Sequence, residues 1–135
     1  MEYHNVLTTC VYCGAGCGLY LQVLDGKVVG VLPAKQHPIS EGKLCIKGWN
    51  AHAFIYHPDR LQTPLIKENG RFRETTWDEA LDLVAQKLEE IKSEHGPDAL
   101  GFLCSAKCTN EDNYVFQKFV RAVIGTNNVD HCARL

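Results

Sequence analysis

The chain lacks any long apolar run and any strong excess of one charge. No apolar stretch approaches the ~20 residues that a membrane-spanning helix needs. A formal net charge of −2 leaves no electrostatic footprint for nucleic acid or an anionic membrane surface. The N-terminus has neither the basic and apolar regions of a signal peptide nor a twin-arginine motif, and we find no internal repeat. These absences predict a soluble, cytoplasmic globular protein that binds no nucleic acid and spans no membrane.

Cysteine, in contrast, is plentiful, with seven residues in 135. In a reducing cytoplasm we expect such thiols to bind metal rather than to pair as disulfides. Four of them combine three closely spaced thiols with one distant thiol: Cys10, Cys13, Cys17 and Cys45. The spacing predicts a single metal site.

The spacing of these four thiols favours a 4Fe-4S cluster. A short loop can reach three well-separated corners of a cluster while a remote residue takes the fourth, whereas structural zinc favours two close pairs. The glycines Gly14, Gly16 and Gly18 support a loop that turns sharply and brings backbone N–H groups close to the sulfurs. Zinc, a disulfide pair and thioredoxin-like chemistry remain alternatives on spacing alone.

Residues 1–60 are predicted to form a small antiparallel β-domain around this site. A strand over 3–9 leads into the cysteine loop, and a hairpin over 19–24 and 27–32 turns at Asp25-Gly26. A short helix is predicted within 49–60 from its amphipathic spacing. Regular pairing across the turn would place six residues on one apolar face: Leu19, Leu21, Val23, Val28, Gly30 and Leu32.

Residues 61–135 are predicted to begin an α/β domain. Asn69-Gly70 predicts a turn between two short edge strands. A first helix opens at the capping-box pair Thr76 and Glu79 and stops at Gly96-Pro97. One apolar strand over 99–104 and a helix from Thr109 to Gly125 follow. The order helix, strand, helix predicts the start of a parallel, doubly covered sheet whose helices expose apolar stripes.

The chain resembles the molybdenum- or tungsten-containing bis-pterin oxidoreductases, and most closely the formate dehydrogenase catalytic subunits. The resemblance runs the length of the chain. Four passages carry it: residues 10–17, Leu44-Cys45-Ile46-Lys47-Gly48, Pro64-Leu65-Ile66 with Thr76-Trp77-Asp78-Glu79-Ala80-Leu81, and residues 113–119 with 124–130.

The resemblance implies roles for individual residues. The four cysteines would hold the cluster, and Lys47 would lie between the cluster and the pterin as an electron relay, against the alternative of an ordinary solvated lysine. Lys107 and Asn110 belong to a loop that follows a strand and precedes a helix, where nucleotide phosphates bind in open sheets. They are predicted to contact the pterin dinucleotide, with helix capping as the competing explanation.

The remaining thiols and the end of the chain complete these expectations. Cys104 and Cys108 are assigned no ligand role, and His131 and Cys132 are expected to pack beside the molybdenum or tungsten site. In the family the residue after this passage is the selenocysteine or cysteine that binds the metal, so we expect that ligand just after Leu135. The sequence would then be the N-terminal part of a selenocysteine enzyme and would end at the selenocysteine codon, which ordinary translation reads as a stop. The alternatives are a deliberately chosen boundary and a genuine small protein.

By resemblance, the whole subunit would interconvert formate and carbon dioxide, and this chain by itself should catalyse nothing. Its cofactors would be a 4Fe-4S cluster and a bis-molybdopterin guanine dinucleotide with molybdenum or tungsten. Its partners would be the rest of its own subunit and iron-sulfur subunits, such as those of a hydrogenase, or a flavoprotein serving a nicotinamide or deazaflavin cofactor. The rival functions are another family member such as nitrate reductase, a small 4Fe-4S electron carrier and a zinc-binding structural module.

Overall fold

The computed structural model of the protein describes residues 1–132. Within that range the strands form three separate sheets. In chain order the elements are β1 (Tyr3–Thr9), β2 (Gly18–Leu24), β3 (Lys27–Pro33), α1 (Ile46–Trp49), β4 (Leu65–Glu68), β5 (Arg71–Glu74), α2 (Trp77–His95), a 3-10 turn (Pro97–Ala99), β6 (Phe102–Cys104), α3 (Asn110–Phe119), a π-helical turn (Val120–Ile124) and β7 (Val129–His131).

The first sheet is antiparallel with strand order β1-β2-β3, which confirms the predicted strand and hairpin. The turn between β2 and β3 has positive φ at both Asp25 (47°) and Gly26 (78°). Two positive φ values give the turn a twist that matches the flanking strands, which is why this residue pair predicts a hairpin.

The predicted apolar face of the hairpin was wrong along β3. A register shift between Gln22 and Val23 leaves Val29 as an extra residue in β3. An extra residue moves every later side chain to the opposite face. Val31 is therefore the core residue, with 6% of its surface exposed, while Leu32 is 41% exposed.

The core of this part lies directly beneath the cysteine loop. Its buried members are Cys10, Leu19, Val31 and Ala51. Leu19 is only 1% exposed, and Cys17 and Leu44 pack against the same cluster of residues. Burial of these apolar groups stabilises the sheet and supports the loop that carries the thiols.

The helix predicted within 49–60 was misplaced. The helix α1 is a single turn that ends at Trp49, and residues 50–56 continue as successive turns. Their hydrogen bonds join residues three apart, such as the Ala53 N–H to the Asn50 carbonyl at 3.0 Å. Turns of this kind repeat every three residues, so over such a short segment their apolar spacing resembles that of an α-helix.

The strands β4 and β5 form the predicted hairpin, with positive φ at Asn69 (50°) and Gly70 (81°). Arg73 of β5 donates to the Glu68 carboxylate at 2.8 Å and also forms an ion pair with Glu79 of α2. This arginine therefore links the hairpin to the start of the helix.

The helix α2 has half of the predicted capping box. The Thr76 hydroxyl accepts a hydrogen bond from the Glu79 N–H at 3.2 Å. The Glu79 carboxylate interacts with Arg73 and the Thr75 hydroxyl instead of the Thr76 N–H. The helix ends at His95 because Gly96 takes a positive φ of 82°, as its Gly-Pro stop signal predicts.

We expect a measurable pH dependence at the start of α2. Arg73, assisted by Thr75, lowers the pKa of Glu79 to about 2 from its ordinary value of 4.5. A lowered pKa stabilises the folded state above the unfolded value, and that stabilisation is lost as pH falls through the folded value. Protection of the first α2 amides against hydrogen exchange should therefore decline as pH falls from about 4.5 towards 2. The effect should be modest because the pair is exposed.

Hydrogen-exchange mass spectrometry of the full-length protein, corrected for the intrinsic exchange rate, measures this protection. Glu79→Gln should lower protection at neutral pH and flatten its pH dependence. A Glu79→Gln profile identical to that of the unsubstituted protein would contradict the assignment.

The strands β6 and β7 form a parallel pair, with Phe102 opposite Val129 and Cys104 opposite His131. The sequence predicted only one strand in this region. The strand β7 was missed because it is only three residues long. The helix α3 connects the two strands and packs on β6 through edge-to-face contacts of Phe102 with Phe116 (6.0 Å) and Phe119 (6.4 Å). The predicted start of a parallel α/β sheet is thereby confirmed.

The segment before β7 is held by polar side chains. Thr126, only 2% exposed, donates to the Asp98 carboxylate at 2.7 Å. Asn128 donates to the backbone carbonyl of Asp98 at 2.9 Å. These bonds attach the segment to the 3-10 turn that precedes β6, so the two strands are brought side by side.

The helices α2 and α3 contain no buried residue within the part of the chain described. Trp77 and Leu81 of α2 are 68% and 58% exposed, and Val115 of α3 is 63% exposed. These are the apolar stripes that the sequence predicted. Among the described helices, none is both long and apolar enough to cross a membrane.

Candidate metal centre

The loop between β1 and β2 carries three of the four predicted ligand thiols. At its base the Cys10 N–H donates to the Cys17 carbonyl at 2.8 Å, and within it the Gly16 N–H donates to the Cys13 carbonyl at 3.2 Å. Gly16 has φ 57°, a left-handed conformation that glycine adopts without a side-chain clash. The loop therefore folds back on itself and groups its thiols.

The fourth thiol, Cys45, influences a thiol of the loop electrostatically. Burial raises the pKa of Cys17, and the neighbouring Cys10, Cys13 and Cys45 thiols raise it further. Electrostatic influence of this kind falls off with distance. The pKa of Cys17 therefore responds to the other three cysteines that the sequence singled out.

Cys45 is the residue that precedes α1. Its side chain makes no helix-capping hydrogen bond, but the adjacent N–H groups of Gly48 and Lys47 lower its pKa, and the charge of Lys47 acts in the same direction. A thiolate is the form that binds metal, and positive surroundings favour it. The lowered pKa of this exposed thiol therefore favours the thiolate form that binds metal.

Two glycines, Gly14 in the loop and Gly18 at the start of β2, are closely approached by side chains from elsewhere in the chain. A Cβ atom on Gly14 would lie 2.5 Å from Oδ1 of Asn110, and one on Gly18 would lie 2.5 Å from the His37 ring. The spacing of residues in the sequence did not predict that Asn110 or His37 lies beside these glycines. Gly16, with its positive φ, is the glycine that the sharp turn itself requires.

The thiols supply the donor atoms that an iron-sulfur cluster needs. All seven cysteines lie in the described residues as free thiols. Among residues 1–132, no three cysteine, histidine or acidic side chains are close enough to share one metal ion. Cysteine thiolates are the usual ligands of iron-sulfur clusters, so the donor chemistry of the four thiols fits a 4Fe-4S cluster.

The three predicted cofactor contacts occupy different places. Lys47 is exposed in α1, two residues after Cys45. Lys107 is exposed in the loop after β6, where its N–H donates to the Ser105 hydroxyl at 3.0 Å. Asn110 is the first residue of α3, and its side chain donates to the Gly14 carbonyl at 2.9 Å. Of the three, Asn110 is the one whose side chain contacts the cysteine loop, a contact that sequence reasoning missed.

Cys104 and Cys108 line an apolar cavity of about 700 Å³ together with Leu103, Phe116 and Phe119. In such a setting a thiol packs as a small apolar group.

Cys132 lies after β7, with its sulfur 3.5 Å from the Ser105 hydroxyl oxygen. The Ser105 hydroxyl and the Ala106 N–H lower its pKa. His131, the last residue of β7, pairs with Cys104 in register. The metal ligand expected after Leu135 lies outside the described residues.

Two family models match almost the whole chain. The molybdopterin oxidoreductase Fe4S4 domain matches residues 3–57, and the molybdopterin oxidoreductase model matches residues 60–135. The chain belongs to the molybdopterin oxidoreductase family. The family confirms the predicted cofactor types, a 4Fe-4S cluster and a molybdopterin.

Curated relatives of this molybdopterin oxidoreductase chain align along its full length. The chain is 57% identical over 135 residues to the F420-dependent formate dehydrogenase 1 subunit alpha of Methanococcus maripaludis. This alignment covers 100% of the chain and 19% of the relative. The F420-dependent formate dehydrogenase subunit alpha of Methanocaldococcus jannaschii is 55% identical over 135 residues, with the same coverage of 100% and 19%. The chain therefore spans about a fifth of the length of these relatives.

Among solved structures, acetylene hydratase from Pelobacter acetylenicus superimposes with a TM-score of 0.72 at 27% identity, over 93% of this chain and 18% of that one. The likeness supports the predicted mixed fold, a small antiparallel sheet followed by an α/β unit. A relative named for a different reaction also shows that this part of the fold does not determine the substrate.

Proposed function

We propose that this chain forms the cluster-binding part and the first portion of the pterin domain of a formate dehydrogenase catalytic subunit. The observation that carries the proposal is the 57% identity to a formate dehydrogenase alpha subunit over all 135 residues. Both halves of the chain take part in that alignment. We divide the chain into a cluster-binding domain over residues 1–60 and the beginning of the pterin-binding domain over residues 61–135.

The residues of the chain have separate tasks in this proposal. Cys10, Cys13, Cys17 and Cys45 hold the 4Fe-4S cluster, whose chemistry when bound is the transfer of single electrons between the pterin metal centre and a partner. The exposed Lys47 places a positive charge two residues from the Cys45 ligand and favours the arrival of an electron there. Lys107 and Asn110 contribute to the binding of the pterin dinucleotide.

The partners follow from the same assignment. The rest of the catalytic subunit supplies the remaining contacts of a bis-molybdopterin guanine dinucleotide with molybdenum or tungsten. Iron-sulfur subunits accept or deliver the electrons, and the names of the two archaeal relatives favour a flavoprotein that serves a deazaflavin over a hydrogenase. A reducing cytoplasm suits a protein with seven free thiols.

The full-length subunit, purified without oxygen together with its natural electron-transfer partners, tests this function. We expect formate to reduce the cluster, seen as loss of visible thiolate-to-iron absorption and appearance of a reduced-cluster EPR signal. Acetate, a carboxylate that cannot release hydride in this way, is the control. Oxidation of the reduced cluster by nitrate with no response to formate would indicate another member of the family. A redox-active cluster in a protein without bound pterin would indicate a simple electron carrier.

A further inference from the structure

One side chain joins the two parts of the chain at the cysteine loop. The Asn110 amide nitrogen donates to the Gly14 carbonyl at 2.9 Å across 96 residues of sequence. Gly14 follows Cys13 directly, so this bond attaches α3 to the segment between two predicted cluster ligands.

The helix start that carries Asn110 is rigidly held. Thr109 and Asp112 form a complete capping box, with the Asp112 N–H donating to the Thr109 hydroxyl at 3.1 Å and the Thr109 N–H donating to the Asp112 carboxylate at 3.2 Å. The Asn113 side chain donates to the Ser105 carbonyl at 3.0 Å. These bonds fix both the helix end and the loop before it, so the Asn110 amide is presented in a defined position.

The amide of Asn110 meets Gly14 through both of its polar atoms. Its nitrogen bonds the Gly14 carbonyl, while Oδ1 lies 2.5 Å from the place where a Cβ on Gly14 would be. A Cβ on Gly14 would force the Asn110 amide out of this position. The hydrogen bond and the close fit together determine how the loop between Cys13 and Cys17 is oriented.

We propose that Asn110 is a positioning residue for the cluster, acting through the backbone of the cysteine loop. It holds the loop in the geometry that binds the cluster and makes retention of the cluster depend on the α/β part of the chain. This inference rests on the part of the proposed function that assigns a 4Fe-4S cluster to the four cysteines. It is independent of the identity of the substrate.

The test uses the full-length holoenzyme and measures the rate at which a chelator removes iron, together with the EPR spectrum of the reduced cluster. Asn110→Ala should increase the rate of iron loss about two- to ten-fold, the effect expected for one neutral hydrogen bond, and should alter the EPR line shape. Asn110→Asp keeps the shape of the side chain but replaces the donor with an acceptor that repels the Gly14 carbonyl. It should therefore release iron at least as fast as Asn110→Ala. Gln117→Ala, which removes a carboxamide two turns further along α3, is the matched control and should change neither readout.

A second pair of variants tests the close fit. Gly14→Ala should lower the iron content of the purified protein, because its new methyl group collides with Asn110. The double variant Gly14→Ala with Asn110→Ala should recover iron to the level of Asn110→Ala, because the obstructing side chain is gone.

The proposal is overturned if Asn110→Asp behaves like the unsubstituted protein, or if the double variant holds no more iron than Gly14→Ala alone. A holoenzyme with normal iron release that does not respond to formate would instead count against the proposed reaction and leave this inference standing.

Discussion

Replacement of Cys45 by serine is expected to reduce formate-dependent electron transfer by more than about 100-fold, because loss of a direct ligand should exceed the 10- to 100-fold cost of losing an outer-shell partner. Cys45 is the one predicted ligand outside the loop between β1 and β2. The N–H groups of Gly48 and Lys47 lower its pKa and favour the thiolate. A serine hydroxyl in the same place ionises far less readily and binds iron more weakly.

The iron and sulfide contents and the rate at which formate reduces the natural partner measure this effect. Cys108→Ser provides the control, since Cys108 lines the apolar cavity beside α3 and has no place in the predicted ligand set. A Cys45→Ser protein with a full cluster and normal electron transfer would refute the assignment of this ligand.

Replacement of Lys47 by methionine is expected to slow electron transfer to the cluster by about ten-fold or more without loss of iron, a magnitude typical of residues just outside a metal site. Lys47 is exposed and lies close enough to Cys45 for its charge to lower the pKa of that thiol. A positive charge favours the reduced, more negative cluster. Its removal should therefore lower the reduction potential.

A potentiometric titration monitored by EPR and rapid-freeze measurement of cluster reduction test these two effects. Lys47→Arg should restore the potential, because the charge is kept, but only part of the rate, because the guanidinium has a different shape. Lys43→Met is a matched control: Lys43 stands two residues before Cys45, is 85% exposed and pairs with Glu41 at 3.9 Å. Equal potentials in Lys47→Met and Lys43→Met would show that Lys47 has no special role.

The local signals in the sequence were reliable where neighbouring residues alone decide the backbone. Asp25-Gly26 and Asn69-Gly70 form the two predicted tight turns, since both pairs adopt positive φ. Thr109 carries a full capping box because Asp112 is free to return to its N–H, whereas at Thr76 the ion pair with Arg73 draws Glu79 away. A partner from another element can thus replace a local one, and spacing does not reveal when this happens.

Two of the incorrect predictions, both about strands, have a common physical origin. The extra residue Val29 in β3 changes which side chains reach the core, although the turn beside it is regular. The three-residue strand β7 is recognisable only through its pairing with β6. Each depends on pairing with a second strand, whose position a single segment cannot specify.

For this protein, the sequence by itself determined the chemistry of the site: four thiols in a three-plus-one spacing suited to a cluster, and passages that resemble formate dehydrogenases from end to end. Only the tertiary structure decided that the Asn110 side chain packs against Gly14 and contacts the cysteine loop across 96 residues. The physical reason is the range of the interactions. Ligand type and turn preference depend on adjacent residues, whereas close approach of distant side chains exists only once the elements pack together.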